Sequence, residues 1–165
     1  MINFKSVDHA LRWAFQISST SIVKVSDFNS MHKPVSSGEM VQHAHAEVII
    51  GMGERLLDVN ELSWVMAKYG AALRGGECER RVADQLVRVV ICESPTGVHS
   101  RRGNEKLVRI YFGQNISMNS VMVNLKCGHV EAYERRKAVH DSLDSLGKRA
   151  IDRMDTALRE HMLIS

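Results

Sequence analysis

The last third of the chain contains an apolar stripe that constrains the fold more than any other feature of the sequence. Its apolar residues recur every three or four positions over about five helical turns. They are Val139, Leu143, Leu146, Ala150, Met154 and Ala157. Such a stripe needs a cover, and we expect it to dock onto the helices at 40–70 or 79–93, with a dimer seam as the alternative. Gly147 lies inside the stripe and disfavours a long coiled coil, because glycine costs about 1 kcal/mol relative to alanine in a helix.

The rest of the chain has the same helical character. Apolar residues make up 44% of 165 residues, aromatic residues only 5%, and there are two prolines, which favours packed helices in one domain or two small lobes. Capping residues, glycines and prolines predict an all-α fold of six or seven helices. One is expected at 39–57, with Val41, Val48, Ile49, Met52 and Leu56 on its inward face, and another at 104–112. Loops are expected at 29–38, at Gly75-Gly76 and at 94–97. We expect an N-terminal helix and loop at 1–37 and a helical domain at 38–165. Residues 22–25 also fit a short strand.

Residues 117–145 have the outline of a helix-turn-helix. Ser117 is placed to cap a short helix whose Val121 and Leu125 point inward, and Gly128 is expected to take a positive φ at the turn. In DNA-binding proteins the start of the second helix reaches base edges in the major groove, while nearby cations contact phosphates. The candidate DNA-binding residues are His129, Glu131, Tyr133, Arg135, Arg136, Lys137 and His140, together with Arg101 and Arg102 in a preceding basic loop.

The distribution of charge along the chain also indicates that the C-terminal region binds a polyanion. Residues 1–95 contain ten basic and eleven acidic residues, a charge of −1, whereas residues 96–165 contain twelve and eight, a charge of +4. A basic C-terminal third predicts double-stranded DNA as a partner. The run 135–137 also fits an ordinary solvated helix face.

Other site types lack their defining motifs. The nucleophile elbow, the phosphate-binding loop, the dinucleotide fingerprint and the H-E-x-x-H zinc motif are absent from the sequence. The pairs His43/Glu47 and Cys127/His129 each offer two metal ligands, fewer than a structural zinc site needs. We therefore expect no enzyme activity, cofactor or metal. Three cysteines without paired spacing and the lack of a long apolar run predict a cytoplasmic protein with no membrane partner.

Several segments resemble a family of phage proteins. Residues 46–56, 60–62 and 68–70 look like the helical pair that precedes the DNA-reading motif of bacteriophage Q-type late-gene antiterminators and, more loosely, region four of sigma factors. Residues 7–14 are similar to the N-terminal helix of some of these antiterminators. Residues 111–113, 116–117 and the following helix pair are similar to the start of the sigma-like helix-turn-helix. Together these segments cover about half of the chain.

The resemblance implies a sequence-specific DNA-binding transcription regulator of phage or prophage origin. More specifically, it implies an antiterminator that binds promoter-proximal DNA and then bacterial RNA polymerase. The choice between monomer and homodimer depends on what covers the C-terminal stripe. The chain departs from the family at 71–104, which has no counterpart in shorter members, and at Cys127-Gly128, which replaces the usual turn. It also lacks the Cys-x-x-Cys of a zinc knuckle. Two other functions stay open: a non-catalytic helical protein-interaction module and, less favoured, a small phage nuclease.

Overall fold

A computed structural model describes residues 4–25, 37–70, 77–93, 100–161 and 163–164. These residues form seven helices: α1 (Val7–Val25), α2 (Ser37–Leu56), α3 (Val59–Tyr69), α4 (Glu77–Cys92), α5 (Arg101–Tyr111), α6 (Met118–Leu125) and α7 (His129–Glu160). Within the described part of the chain, the only β-pairing is an isolated bridge between Phe4 and Ile164. The predicted all-α class and long final helix are confirmed. None of the described helices combines the length and apolarity of a membrane span.

Two predicted helix boundaries are wrong. Helix α1 continues to Val25, so residues 22–25 are not a strand. Helix α5 begins at Arg101, which places Arg101 and Arg102 in its first turn rather than in a loop. The cause is Ser100, whose side chain accepts a hydrogen bond from the Gly103 N–H at 3.2 Å and caps the helix three residues earlier than expected. The loops predicted at Gly75-Gly76 and at 94–97 lie outside the described residues, as do residues 29–36 of the loop predicted at 29–38. The last two residues of that predicted loop, Ser37 and Gly38, begin α2 instead.

The chain divides into two compact units. Unit 1 contains Met1–Asp58 and Ile151–Ser165, and unit 2 contains Val59–Ala150. Helix α7 contributes its first 22 residues, 129–150, to unit 2 and its remainder to unit 1. This division does not coincide with the segment boundary predicted between residues 37 and 38.

Unit 1 packs α1, α2 and the end of α7 around a small core. Ser6 caps α1 by accepting a hydrogen bond from the His9 N–H at 3.3 Å. The Phe4 N–H donates to the Leu163 carbonyl at 2.8 Å, which ties the start of the described chain to its end. A Cβ atom on Gly53 of α2 would lie 3.8 Å from the Met154 sulfur of α7, in ordinary van der Waals contact. Unit 1 is therefore held by contacts between distant parts of the sequence.

The buried face of α2 differs from the predicted one. Of the apolar residues expected to face inward, Ile49 and Met52 are buried, but Val41, Val48 and Leu56 are exposed. The buried face includes Ala46 and Gly53 instead. Apolar residues surround much of this helix, so periodicity alone does not define one face, and the small residues decide where another element can approach closely.

The C-terminal stripe docks inside the chain, as predicted. All six of its residues are buried, with exposures between 0% and 7%. Gly147 has a structural role that the sequence did not reveal, because a Cβ atom there would overlap the indole ring of Trp64 in α3. Glycine at this position lets α3 and α7 approach closely, and the burial of the stripe leaves it covered without a second copy of the chain.

Candidate nucleic-acid interface

The helix pair predicted at 117–145 is formed by α6 and the first part of α7. Ser117 caps α6 by accepting a hydrogen bond from the Ser120 N–H at 3.4 Å. Val121 and Leu125 are buried, as predicted. Three residues, 126–128, separate the two helices. A short helix, a tight connection and a second helix therefore follow each other here.

The connection turns at Lys126 rather than at Gly128. Lys126 has a φ of 54° and ψ of 44°, in the left-handed region, and its N–H donates to the Met122 carbonyl. Gly128 has no positive φ and has open space where a Cβ would lie, so its expected role is wrong. Helices commonly end on a left-handed residue directly after the last turn, and here that residue is a lysine. Gly128 instead directly precedes α7, and its carbonyl accepts a hydrogen bond from the Ala132 N–H at 3.0 Å.

Helix α5 fixes the position of α6. The Ser100 hydroxyl donates to the Asn124 carbonyl at 2.6 Å, near the end of α6. A Cβ atom on Gly103 would lie 2.7 Å from Leu125 Cγ, which is closer than real contacts allow. The Lys106 ammonium group donates to the Ser120 carbonyl at 3.3 Å. Helix α6 is therefore held along its length by a close and specific contact with α5.

Arg135 is part of the core of unit 2 and not of its surface. Its residue exposure is 6%. Its Nε donates to Asn104 Oδ1 of α5 at 3.0 Å, and its Nη2 donates to the Val90 carbonyl near the end of α4 at 3.4 Å. Burial lowers the pKa of the guanidinium below its usual value. The expectation that Arg135 is exposed is wrong, since the side chain connects α4, α5 and α7 instead.

His140 also packs inward. Its ring lies edge-on against Tyr111 of α5, with 5.1 Å between ring centroids. Tyr111 donates to Asp144 Oδ1 at 2.7 Å and accepts from Trp64 Nε1 at 3.3 Å, so it joins α3, α5 and α7. Burial, followed by the hydrogen bond to Asp144, raises the pKa of Tyr111 above its usual value. These contacts remove His140 from the expected reading surface, because its ring faces α5.

The remaining predicted residues at the start of α7 are accessible. His129, Glu131, Tyr133 and Lys137 are exposed, and Arg136 is half-buried. The rings of His129 and Tyr133, one helical turn apart, lie 4.5 Å apart between centroids at an interplanar angle of 31°. The first two turns of α7 therefore present a stacked pair of rings together with charges of both signs.

Exposed apolar side chains accompany these polar groups and were not among the residues predicted from sequence. Val123 of α6 has an exposure of 76% and Val130 of α7 has 72%. Val139, further along α7, is fully buried, so residue type alone does not separate a buried valine from an exposed one. Contact with thymine methyl groups and contact with a protein both use such side chains.

The two arginines at the start of α5 have different surroundings. Arg101 forms an ion pair with Asp84 of α4. The hydrogen bond and charge of Asp84 raise the pKa of Arg101. Arg102 is exposed and has no ion-pair partner among the residues that the structure describes. Cations at a helix N-terminus oppose the helix dipole.

The turn does not have the features of a metal site. Burial and then the nearby Glu131 carboxylate raise the pKa of the Cys127 thiol, which opposes formation of the thiolate that zinc needs. In the described ranges, no three side chains of His, Cys, Asp or Glu come together as metal ligands.

The chain matches no family model, no curated protein and no solved structure.

Proposed function

We propose that the protein is a sequence-specific DNA-binding transcription regulator that reads DNA with the first turns of α7. The observation that carries the proposal is the helix pair α6–α7, which α5 holds by a close contact while the start of α7 stays exposed. A rigid scaffold with an accessible second helix is what base recognition in the major groove requires. Phage or prophage origin and antitermination on RNA polymerase are more specific proposals, drawn from the sequence resemblance.

Within this proposal, side chains at the start of α7 have separate roles. Tyr133 and His129 contact base edges or methyl groups, and Lys137 binds a phosphate one to two turns further along the helix. Glu131 is an acceptor for the cytosine amino group, a common role for a carboxylate in the major groove. Lys126, in the turn, and Arg102 supply further phosphate contacts. Arg135 and His140 take no part, because Arg135 is buried and the His140 ring packs against Tyr111.

The first experiment selects DNA sequences from a randomised double-stranded library. Enriched duplexes are then measured by fluorescence polarisation at two salt concentrations, against scrambled duplexes of the same composition. We expect salt-sensitive binding and a preference for the selected sequence. Tyr133→Ala should reduce that preference, whereas Lys137→Ala should weaken binding to both duplexes.

Lys148→Ala is the matched control for Lys137→Ala. Lys148 is an exposed lysine on the same helix, about 16 Å further along its axis. This variant should bind both duplexes as the wild-type protein does. Equal affinity of the wild-type protein for selected and scrambled DNA would reject sequence-specific recognition. If binding is found, transcription across a terminator by purified bacterial RNA polymerase tests antitermination separately.

A second function is favoured by one observation on the same helices. Val123 and Val130 are strongly exposed, and Glu131 and Glu134 are exposed beside Val130. Apolar side chains form the centres of protein interfaces, and carboxylates repel phosphates. A non-catalytic protein-interaction module is therefore the alternative. If the protein does not bind DNA, selection of binders from a displayed peptide library tests this alternative. Peptides that also bind the Val130→Asp variant are removed, so that the remaining ones depend on the apolar side chain at position 130.

A further inference from the structure

Helix α2 has an apolar stripe on its solvent side. Met40 is 63% exposed, Val41 53% and Val48 47%, and Ala44 is exposed between them. Helical geometry places these four residues within about 100° of one another around the axis and over about 12 Å along it. Contiguous apolar side chains that stay exposed and are bordered by polar residues mark contact sites on soluble proteins. This α2 stripe, residues 40, 41, 44 and 48, is therefore a candidate docking surface.

The packing of α2 within unit 1 uses the other side of the helix. The buried residues of α2 are Ala46, Ile49, Met52 and Gly53, which helical geometry places away from the stripe. Helix α2 is therefore anchored in its own unit while the stripe remains exposed. A polar residue in place of Val48 should leave this core intact, because exposed positions contribute little to stability.

Carboxylates border the stripe on one side. Glu47 is exposed beside Ala44 and Val48, and Glu54 is exposed on the same side about 10 Å further along the helix. Neither glutamate forms an ion pair with a cation in the described part of unit 1. Arg55 is the only lysine or arginine of α2, and its Nε donates to the Gly51 carbonyl at 3.0 Å, beyond the C-terminal end of the stripe. The border of the stripe is therefore negatively charged.

These charges distinguish between possible occupants of the stripe. An antiparallel twofold pair of α2 stripes would put Glu47 of both copies on the same side of the interface, where like charges repel each other. Nucleic acid and anionic lipid would be repelled for the same reason. An amphipathic helix whose apolar face is bordered by lysine or arginine complements both the apolar stripe and its carboxylates.

We propose that the α2 stripe binds an amphipathic helix of a partner protein, with basic residues of that helix beside Glu47 and Glu54. Burial of the apolar side chains supplies the attraction, and the carboxylates select a basic partner. A stripe of about two helical turns gives a small interface, so the complex is weak and reversible. Peptide binding here does not depend on DNA binding by the start of α7, because α2 belongs to unit 1 and residues 129–150 belong to unit 2.

The experiment uses two labelled synthetic peptides of about five helical turns. Both carry leucine at the same helical positions, and the other positions are lysine in one peptide and glutamate in the other. Fluorescence anisotropy measures their affinity for the whole protein. We expect the lysine peptide to bind about 10-fold or more tightly than the glutamate peptide, and the difference to shrink at high salt. Equal affinity for both peptides would overturn the proposal.

A neutral double variant tests whether the peptide binds at the stripe. Ala44→Gln with Val48→Gln makes the stripe polar without changing its charge, and we expect about 10-fold weaker binding of the lysine peptide. Val123→Gln is the matched control, because Val123 is an exposed valine of α6 in unit 2. This control should bind the peptide as the wild-type protein does. Weaker binding by the control alone would move the site to α6 and reject the α2 stripe.

A charge-reversed variant tests the role of the two glutamates. Glu47→Lys with Glu54→Lys should prefer the glutamate peptide, because the border of the stripe is then positive. Asp152→Lys with Glu160→Lys is its control, since it reverses two exposed carboxylates on α7 in unit 1. The control should keep the preference for the lysine peptide. An unchanged preference in the Glu47→Lys, Glu54→Lys protein would reject the assigned role of these carboxylates.

The Ala44→Gln, Val48→Gln protein also distinguishes the other occupants. Sedimentation velocity without peptide should show monomers for this variant and for the wild-type protein. A wild-type dimer that this variant dissociates would assign the stripe to a second copy and overturn the proposal. The urea midpoint of the variant should match the wild-type value, and a clearly lower midpoint would show that the chain itself covers the stripe, which also overturns the proposal.

Discussion

Arg135→Ala is the substitution that best distinguishes the buried role of Arg135 in the structure from the DNA-contacting role predicted by the sequence pattern. As an exposed DNA contact, Arg135 would affect DNA binding and leave stability unchanged. As the buried connection between α4, α5 and α7, Arg135 should affect stability and make no direct contact with DNA. The side chain donates at 3.0 Å to Asn104 Oδ1 and at 3.4 Å to the Val90 carbonyl. Both residues lie in other helices than Arg135 itself.

The expected loss of stability follows from these contacts. A hydrogen bond from a charged group contributes about 1.5–3 kcal/mol to the free energy of unfolding. The longer hydrogen bond to the Val90 carbonyl is expected at the lower end of this range. The Asn104 side chain is fully buried, and in the variant its Oδ1 would lose the hydrogen bond from Arg135, at a cost of about 1–3 kcal/mol. We therefore expect Arg135→Ala to lower the free energy of unfolding by about 3–5 kcal/mol.

Urea denaturation followed by circular dichroism measures this loss. Lys137→Ala is the control, since an exposed lysine two positions away should change stability by less than about 0.5 kcal/mol. The pair Arg135→Met with Asn104→Leu should recover part of the loss, because it removes both polar partners together. An Arg135→Ala protein with wild-type stability and lost DNA binding would refute the reasoning and return Arg135 to the reading surface.

Three further substitutions test the packing. Gly147→Ala should lower the free energy of unfolding by about 1–3 kcal/mol in urea denaturation, because its methyl group overlaps the indole of Trp64; wild-type stability would contradict that close contact. Lys126→Gly should keep or slightly raise the melting temperature, since glycine adopts the left-handed conformation without strain, and a marked fall would argue against the turn geometry. Tyr111→Phe should cost about 1–2 kcal/mol by removing the hydrogen bonds to Asp144 and Trp64, and an unchanged unfolding midpoint would exclude them.

Local sequence was sufficient to predict some elements of this protein. The apolar stripe from Val139 to Ala157 predicted both the long final helix and its burial, because a period of three to four residues identifies one face of a helix. Ser117 predicted the start of α6, since a cap needs only the few residues that follow it. Predictions of this kind succeed when the interacting groups are close in sequence.

The composition of the candidate site was decided by tertiary structure. The three cations of residues 135–137 look alike in sequence, yet Arg135 is buried and Lys137 is exposed. The partner of Arg135, Asn104, lies 31 residues away and has no local signal of its role. In the same way, Asp84 pairs with Arg101, and Gly147 makes room for Trp64, only because separate helices meet there. A sequence pattern reports which side of a helix is apolar, but burial of a charge depends on which other helix supplies the hydrogen-bond acceptor.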